Sequence, residues 1–255
     1  MNRKLLKRIL VTSAIAILGV NTSFAALVME QDQSVDTAPS VGMYRFEVPL
    51  ELQGTYNSAG VANLTASMEK EPNTLSMNVA HVKGNPSESY VVEIYKDLAA
   101  IETHRKSDHY QAFVNEVGSK LTNRKMYDVQ SVLLFEKKDA LSIVNDGKAV
   151  VTLTEFTVDS NEIDTVQRQY QLDMERAVRD DAGYKAGYVL RERNAKNRWY
   201  VIQIYSDQEA LTKHLNSPGY RFMMSQIQGS LQGVTTKVLA GDILVNHGGQ
   251  SFVRP

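Results

Sequence analysis

Apolar residues recur along the chain at two spacings, and the succession of spacings occurs twice. Residues 44–50 and 150–158 are rich in β-branched and aromatic side chains and predict a strand at the head of each half. Helical spacing follows. In the second half Ile163, Val166, Tyr170, Met174, Ala177 and Val178 share one face, with Asp159 or Ser160 in place to cap it. In the first half Asn57, Ser58 and Gly60 dilute the pattern, yet Val61, Leu64 and Met68 keep a face, and Pro72 stops the helix at Glu71. Strands at 74–82 and 89–95, joined by Lys83-Gly84-Asn85-Pro86, predict a hairpin, matched by 184–191 and 199–205 around residues 194–197. Asp97 and Asp207 occupy the N-cap of a second helical region that runs through Ala100, Ile101 and His104. After a Ser-Asp or Ser-Pro break that region resumes with Phe113, Val117 and Leu121, or Met223, Ile227 and Leu231. A strand at 129–135 or 238–245 ends each half.

The two halves are copies. A shift of 110 residues superposes them without a gap from residue 43 to 136, and in the stretch 90–110 nine of 21 positions are identical in the partner 200–220. The identities include Tyr95/Tyr205, Asp97/Asp207, His104/His214 and Tyr110/Tyr220. The order β-α-β-β-α-β is that of a ferredoxin-like α+β domain, whose antiparallel sheet carries both helices on one face. Val91, Val92 and Ile94 are apolar in succession, so the other face needs cover too. Two repeats supply it by packing sheet against sheet as a pseudo-dimer within one chain, or as a homodimer. The expected boundaries are 43–136 and 150–246, with a linker at 137–149, a leader at 26–42 and a tail at 247–255.

Residues 1–25 combine a basic start (Arg3, Lys4, Lys7, Arg8), an apolar run at 9–20 and small residues at Ser23 and Ala25, the pattern of a cleaved signal peptide. An apolar run of about 12 residues falls short of the roughly 20 that span a bilayer, so a periplasmic or secreted protein with no stable membrane anchor after cleavage is expected. Cleavage removes those four basic residues and no acid, taking the net charge from −1 to −5, and no basic stripe offers a nucleic-acid surface. The chain has no cysteine, which excludes disulfides and thiolate metal sites. There is no H-E-x-x-H, G-x-S-x-G or phosphate-binding glycine loop. His104 and His109 would point about 140° apart on one helix, so no metal site is expected from them.

The segment EIYKDLAAIETHRKSDHY resembles the signature of the antibiotic biosynthesis monooxygenase superfamily of dimeric α+β barrels. It is most similar to the cofactor-independent quinol monooxygenases and the autoinducer-degrading isomerases. The matching residues are Glu93, Tyr95, Asp97, Ala100, His104, Ser107, His109 and Tyr110, and Glu71-Pro72-Asn73 resembles the end of that family's first helix. The second repeat departs, with Gly219 for His109, Gln203 for Glu93 and Arg191 for His81.

The resemblance implies a small-molecule substrate, no cofactor, and a site in the first repeat. There His104 or His109 is a base for a phenol or for a carbon beside a carbonyl, and Tyr95 steadies the developing oxyanion. His81, which shares a strand face with Leu75, Met77 and Val79 by period two, is an expected substrate contact or else marks the wet end of its strand, and Tyr110, His214 and Tyr205 are the other expected substrate contacts. Each residue also has a structural reading: His104 and His214 as histidines buried under the second helix, His109 as a surface residue, Tyr95 and Tyr205 as core packing, and Asp97 and Asp207 as caps. A non-catalytic ligand-binding or protein-interaction module on the same fold is the alternative function.

Overall fold

The computed structural model describes residues 38–255; the expected signal peptide and most of the expected leader lie outside the described residues. The first repeat supplies β1 (Ser40–Glu47), α1 (Gln53–Lys70), β2 (Thr74–Val82), β3 (Asn85–Tyr95), α2 (Leu98–Lys106), α3 (Asp108–Val117), β4 (Thr122–Tyr127), β5 (Val129–Glu136) and β6 (Leu141–Val144). The second supplies β7 (Val150–Val158), α4 (Ile163–Asp180), β8 (Tyr184–Glu192), β9 (Arg198–Tyr205), α5 (Gln208–Leu215), α6 (Pro218–Ile227), β10 (Leu231–Asn246) and β11 (Ser251–Val253). The shift of 110 carries α1 onto α4, β2 onto β8 and α3 onto α6 end for end. It also carries β6, in the expected linker, towards β11, in the expected tail.

The pairing of the strands differs from two separate stacked sheets. Strand β1 lies between β3 and β4, while β5, the continuation of β4 past Asp128, crosses to pair with β8 of the other repeat. Strand β10 does the same in one piece: residues 231–240 pair with β7, and 239–246 pair with β2. The resulting order is β11-β5-β8-β9-β7-β10-β2-β3-β1-β4. Its last member runs covalently into β5, so the sheet returns upon itself as a barrel. The short strands β6 and β11 and strand β4 remain as edges.

Alternation then sorts the strand residues. Met43, Val92, Ile94, Leu134, Val151, Tyr188, Leu190, Tyr200, Ile202 and Leu244, drawn from both repeats, form one core inside the barrel. Each such side chain contributes on the order of 2 kcal/mol by leaving water. The opposite faces carry the helices: Val166, Tyr170 and Met174 of α4 and Met223 and Ile227 of α6 pack on Phe156, Val189, Val201 and also Phe135 of β5.

Three local expectations are corrected. Helix α4 begins at Ile163 with no side-chain cap, because residues 159–162 form a turn in which Glu162 N–H donates to the Asp159 carbonyl. The second helical region ends at Val117 or Ile227, and Leu121 adjoins β4 while Leu231 opens β10; an apolar residue four places on suits a helix and a strand equally. The buried face of α1 includes Ala59, Gly60, Asn63 and Ser67, residues that dilute its apolar pattern. Small residues are needed there, since a Cβ on Gly60 would stand 3.1 Å from Ile243 of β10. No helix among the described residues is long and apolar enough to cross a membrane.

Glu136 of β5 is buried and accepts the Tyr188 hydroxyl at 2.7 Å, and burial pushes its carboxyl up to about 7. The folded protein therefore keeps a proton between pH 4.5 and 7 that the unfolded chain has released, so stability falls as pH rises through that window, by on the order of 3 kcal/mol in total. Glu136→Gln is expected to match the parent in urea unfolding at pH 5 and exceed it at pH 8. A variant less stable than the parent at pH 8 would contradict this account.

Candidate functional site

The polar centre of the first repeat lies where three helix ends meet. Pro72 ends α1 and leaves Glu71 as its C-cap, with the Glu71 N–H donating to the Ser67 carbonyl. Asp97 caps α2 through Ala100 N–H at 2.9 Å, confirming its structural reading. Ser107 is extended, with φ −70° and ψ 148°, and caps α3: its Oγ accepts from Tyr110 N–H and donates to the His104 carbonyl. This corner puts His104 at the end of α2 and His109 at the start of α3.

Both rings turn to Glu71. His109 Nε2 lies 2.7 Å from Glu71 Oε1, and His104 Nδ1 lies 3.1 Å from Oε2 and 3.3 Å from Oε1. Thr74 donates its hydroxyl to Oε2 at 2.7 Å. A carboxylate at a helix C-terminus faces the negative end of the helix dipole, and these donors offset that. The expected 140° divergence of the histidines is overturned, because it holds for one continuous helix and Ser107 breaks it. The donor atoms of Glu71, His104 and His109 all lie within 4.8 Å of one another.

Access separates the two histidines. His104 is 1 % exposed and His109 13 %, and His109 lines a surface pocket of about 760 Å³ with Lys70, Glu71, Thr103, Lys106, Ser107 and Asp108. Two tyrosines pack around His104. Tyr110 places its ring edge-on to His104 at 4.8 Å, and Tyr95 packs on the same ring at 5.7 Å. The Tyr95 hydroxyl, expected to steady an oxyanion, donates to Glu93 Oε2 at 3.0 Å and is buried, so it is committed to the protein. Burial raises the carboxyl of Glu93, and burial with Glu93 beside it raises the phenol of Tyr95. Burial likewise pushes the Tyr110 phenol up to about 12.

His81 is not in this site. It lies seven residues beyond Thr74 on β2, about 23 Å at the usual strand rise. Its Nδ1 bonds to Asp242 of β10 at 2.8 Å, a contact between the repeats that raises the imidazole. Sequence reasoning assigned Glu71 only to the end of a helix. The available signal was its partner Asp181, an acid retained at the same place in the other copy.

A model of the family "Antibiotic biosynthesis monooxygenase" matches residues 42–116 and 149–225, more than half of the chain. The chain belongs to this family. Among solved structures it is similar to a protein of Lactobacillus acidophilus NCFM named "putative monooxygenase", with TM-score 0.78 and 19 % identity over 84 % of this chain and 99 % of that one. A like-named protein of Fusobacterium nucleatum gives TM-score 0.75 and 20 % identity over 86 % and 100 %. An anthrone oxidase-like protein gives 0.50 and 12 % over 87 % and 98 %. At these identities the likeness shows the fold. No curated protein matches the chain.

The two monooxygenase-family repeats treat the same position differently. His214 is 1 % exposed, with Nδ1 3.0 Å from Asp181 Oδ2 and Nε2 3.4 Å from Asp173 Oδ2, the latter out of line for a hydrogen bond. Asp173 also pairs with Arg176. Arg176 fills the space that His109 takes in the first repeat, since a Cβ on Gly219 would stand 2.1 Å from its Nε. Tyr205 is wholly buried against Tyr184 and His214. His214 and Tyr205 are therefore core groups rather than the expected substrate contacts. Trp199 is buried, packs on Phe156 and donates to the Lys196 carbonyl.

Removing a core partner of two acids should cost more than removing a ring at a pocket mouth. His214→Ala is expected to lose on the order of 3 kcal/mol in urea unfolding, by leaving Asp173 and Asp181 without it, and His109→Ala about 1 kcal/mol. Equal losses would show that the second cluster is not a closed structural unit.

Proposed function

We propose that the first repeat is the catalytic one and that His109, held by Glu71, removes a proton from a quinol-like substrate bound in the adjoining pocket. The Glu71–His109 bond carries the reading. An ionised Glu71 fixes the Nε2–H tautomer of His109, which leaves Nδ1 as the ring's basic nitrogen. His104, buried behind it, donates Nδ1–H to the same carboxylate and positions it. The ammonium groups of Lys70 and Lys106 at the pocket favour the phenolate that forms. That anion is electron-rich enough to reduce dioxygen directly: one oxygen atom enters the ring, the other leaves as water, and the product is a hydroxyquinone.

A second reading has its own support. Every side chain lining the pocket ends in a polar or charged group, which suits a small hydrophilic enolisable carbonyl compound whose proton is removed and returned at another carbon as an isomerisation. We also propose, from the composition of residues 1–25, that the protein is exported and acts in the periplasm or outside the cell.

Oxygen uptake and quinone formation with a panel of quinols test the first reading, and solvent deuterium incorporation into hydroxy-ketones without oxygen uptake tests the second. His109→Gly is expected to lower kcat/KM by about 100- to 10,000-fold, with partial rescue by added imidazole. Undiminished turnover by His109→Gly would remove the histidine from either mechanism.

A further inference from the structure

We infer that Glu71, His104 and His109 form a binding site for a divalent transition-metal ion of the zinc type. Two imidazoles and a carboxylate are the donor set of a three-ligand site with open coordination positions. Ligand atoms around a tetrahedral ion with bonds near 2.0–2.1 Å stand about 3.3 Å apart. His104 Nδ1 already lies 3.1 and 3.3 Å from the two Glu71 oxygens. His109 Nε2, at 2.7 Å from Oε1, needs to move out by about 0.6 Å once an ion replaces the shared proton. His109 is at the pocket, where Ser107 and Asp108 add oxygen groups and water completes the coordination.

The far side of the His104 ring has a counterpart in the second repeat. His104 Nε2 is buried and has no hydrogen-bond partner, and neither has Oδ1 of the buried Asn63. Asn63 holds the place of Asp173, the acid that stands 3.4 Å from His214 Nε2. The corresponding atoms of the second repeat, His214 Nε2 and Asp173 Oδ2, are likewise without partners, so this face belongs to both copies and the ligand geometry carries the site. In the second repeat Gly219 removes one ligand and Arg176 brings a positive charge, so one site per chain is expected.

Metal on His109 Nε2 leaves its proton on Nδ1, so occupancy and the base proposed above exclude each other. Metal binding needs no turnover, and its measurement succeeds or fails apart from that reaction. Untagged protein, stripped with a chelator, is titrated with Zn2+ by calorimetry and with Co2+ by visible absorption. One equivalent is expected to bind, with a d–d spectrum of four- or five-coordinate Co2+. His109→Ala and Glu71→Gln are expected to weaken binding by at least 10- to 100-fold, with His109→Gln as the bulk-preserving variant should the alanine protein not fold. Absence of stoichiometric uptake by the parent protein would overturn the site, as would variants that fold and bind as tightly as the parent.

Discussion

The last strand of each repeat is hydrogen-bonded to both repeats, and from this sharing the rest of the structure follows. Strands β4 and β5 begin beside β1 and finish beside β8; β10 begins beside β7 and finishes beside β2. Neither repeat has a complete sheet without the other, and neither has a closed core. Phe135 shows the consequence, since it belongs to the first repeat by sequence and packs under the helices of the second. The barrel interior is filled by apolar side chains from both copies, apart from buried polar groups such as Glu136 with Tyr188, and the histidine–acid clusters lie outside it at the helix ends.

At those ends the two copies solve one problem with different residues. Each buries a histidine at the end of its second helix beside an acid, Glu71 or Asp181. The first adds His109 and leaves Asn63 neutral; the second adds Arg176, makes the Asn63 position an acid, and empties the His109 position to glycine. These differences are coupled by space and charge. A histidine at 219 would collide with Arg176, and Asp173 without Arg176 would be a second buried carboxylate beside a single imidazole.

The duplication was legible because the register of 110 residues survives through every helix, so local patterns reinforced each other where one copy was weak. Strand sharing was not legible, because which partner a strand chooses in its second half depends on residues a hundred positions away. The end of α3 was missed for a local reason, Leu121 being compatible with either element. The resemblance named His104, His109, Tyr95 and Tyr110 together, but their arrangement turned on Ser107. One extended residue places two histidines on different helices, and a helical-wheel angle then has no meaning. His81 was misplaced because period two gives the face of a strand and not the distance along it.

Buried polar atoms stand without hydrogen-bond partners at the same place in both repeats, His104 Nε2 and Asn63 Oδ1 in the first and His214 Nε2 and Asp173 Oδ2 in the second. A buried polar atom without a partner costs about 1–3 kcal/mol. The second repeat shows that the same backbone accepts an acid at that position, brought within 3.4 Å of the equivalent nitrogen and balanced by an arginine. The first repeat instead keeps the neutral amide, leaves the space beside α3 to His109 rather than an arginine, and opens the acid shared by both histidines to a pocket. That cost is common to both copies, so what sets the first apart is two histidines on one carboxylate at a pocket, a difference better explained by what the site binds or does than by the packing around it.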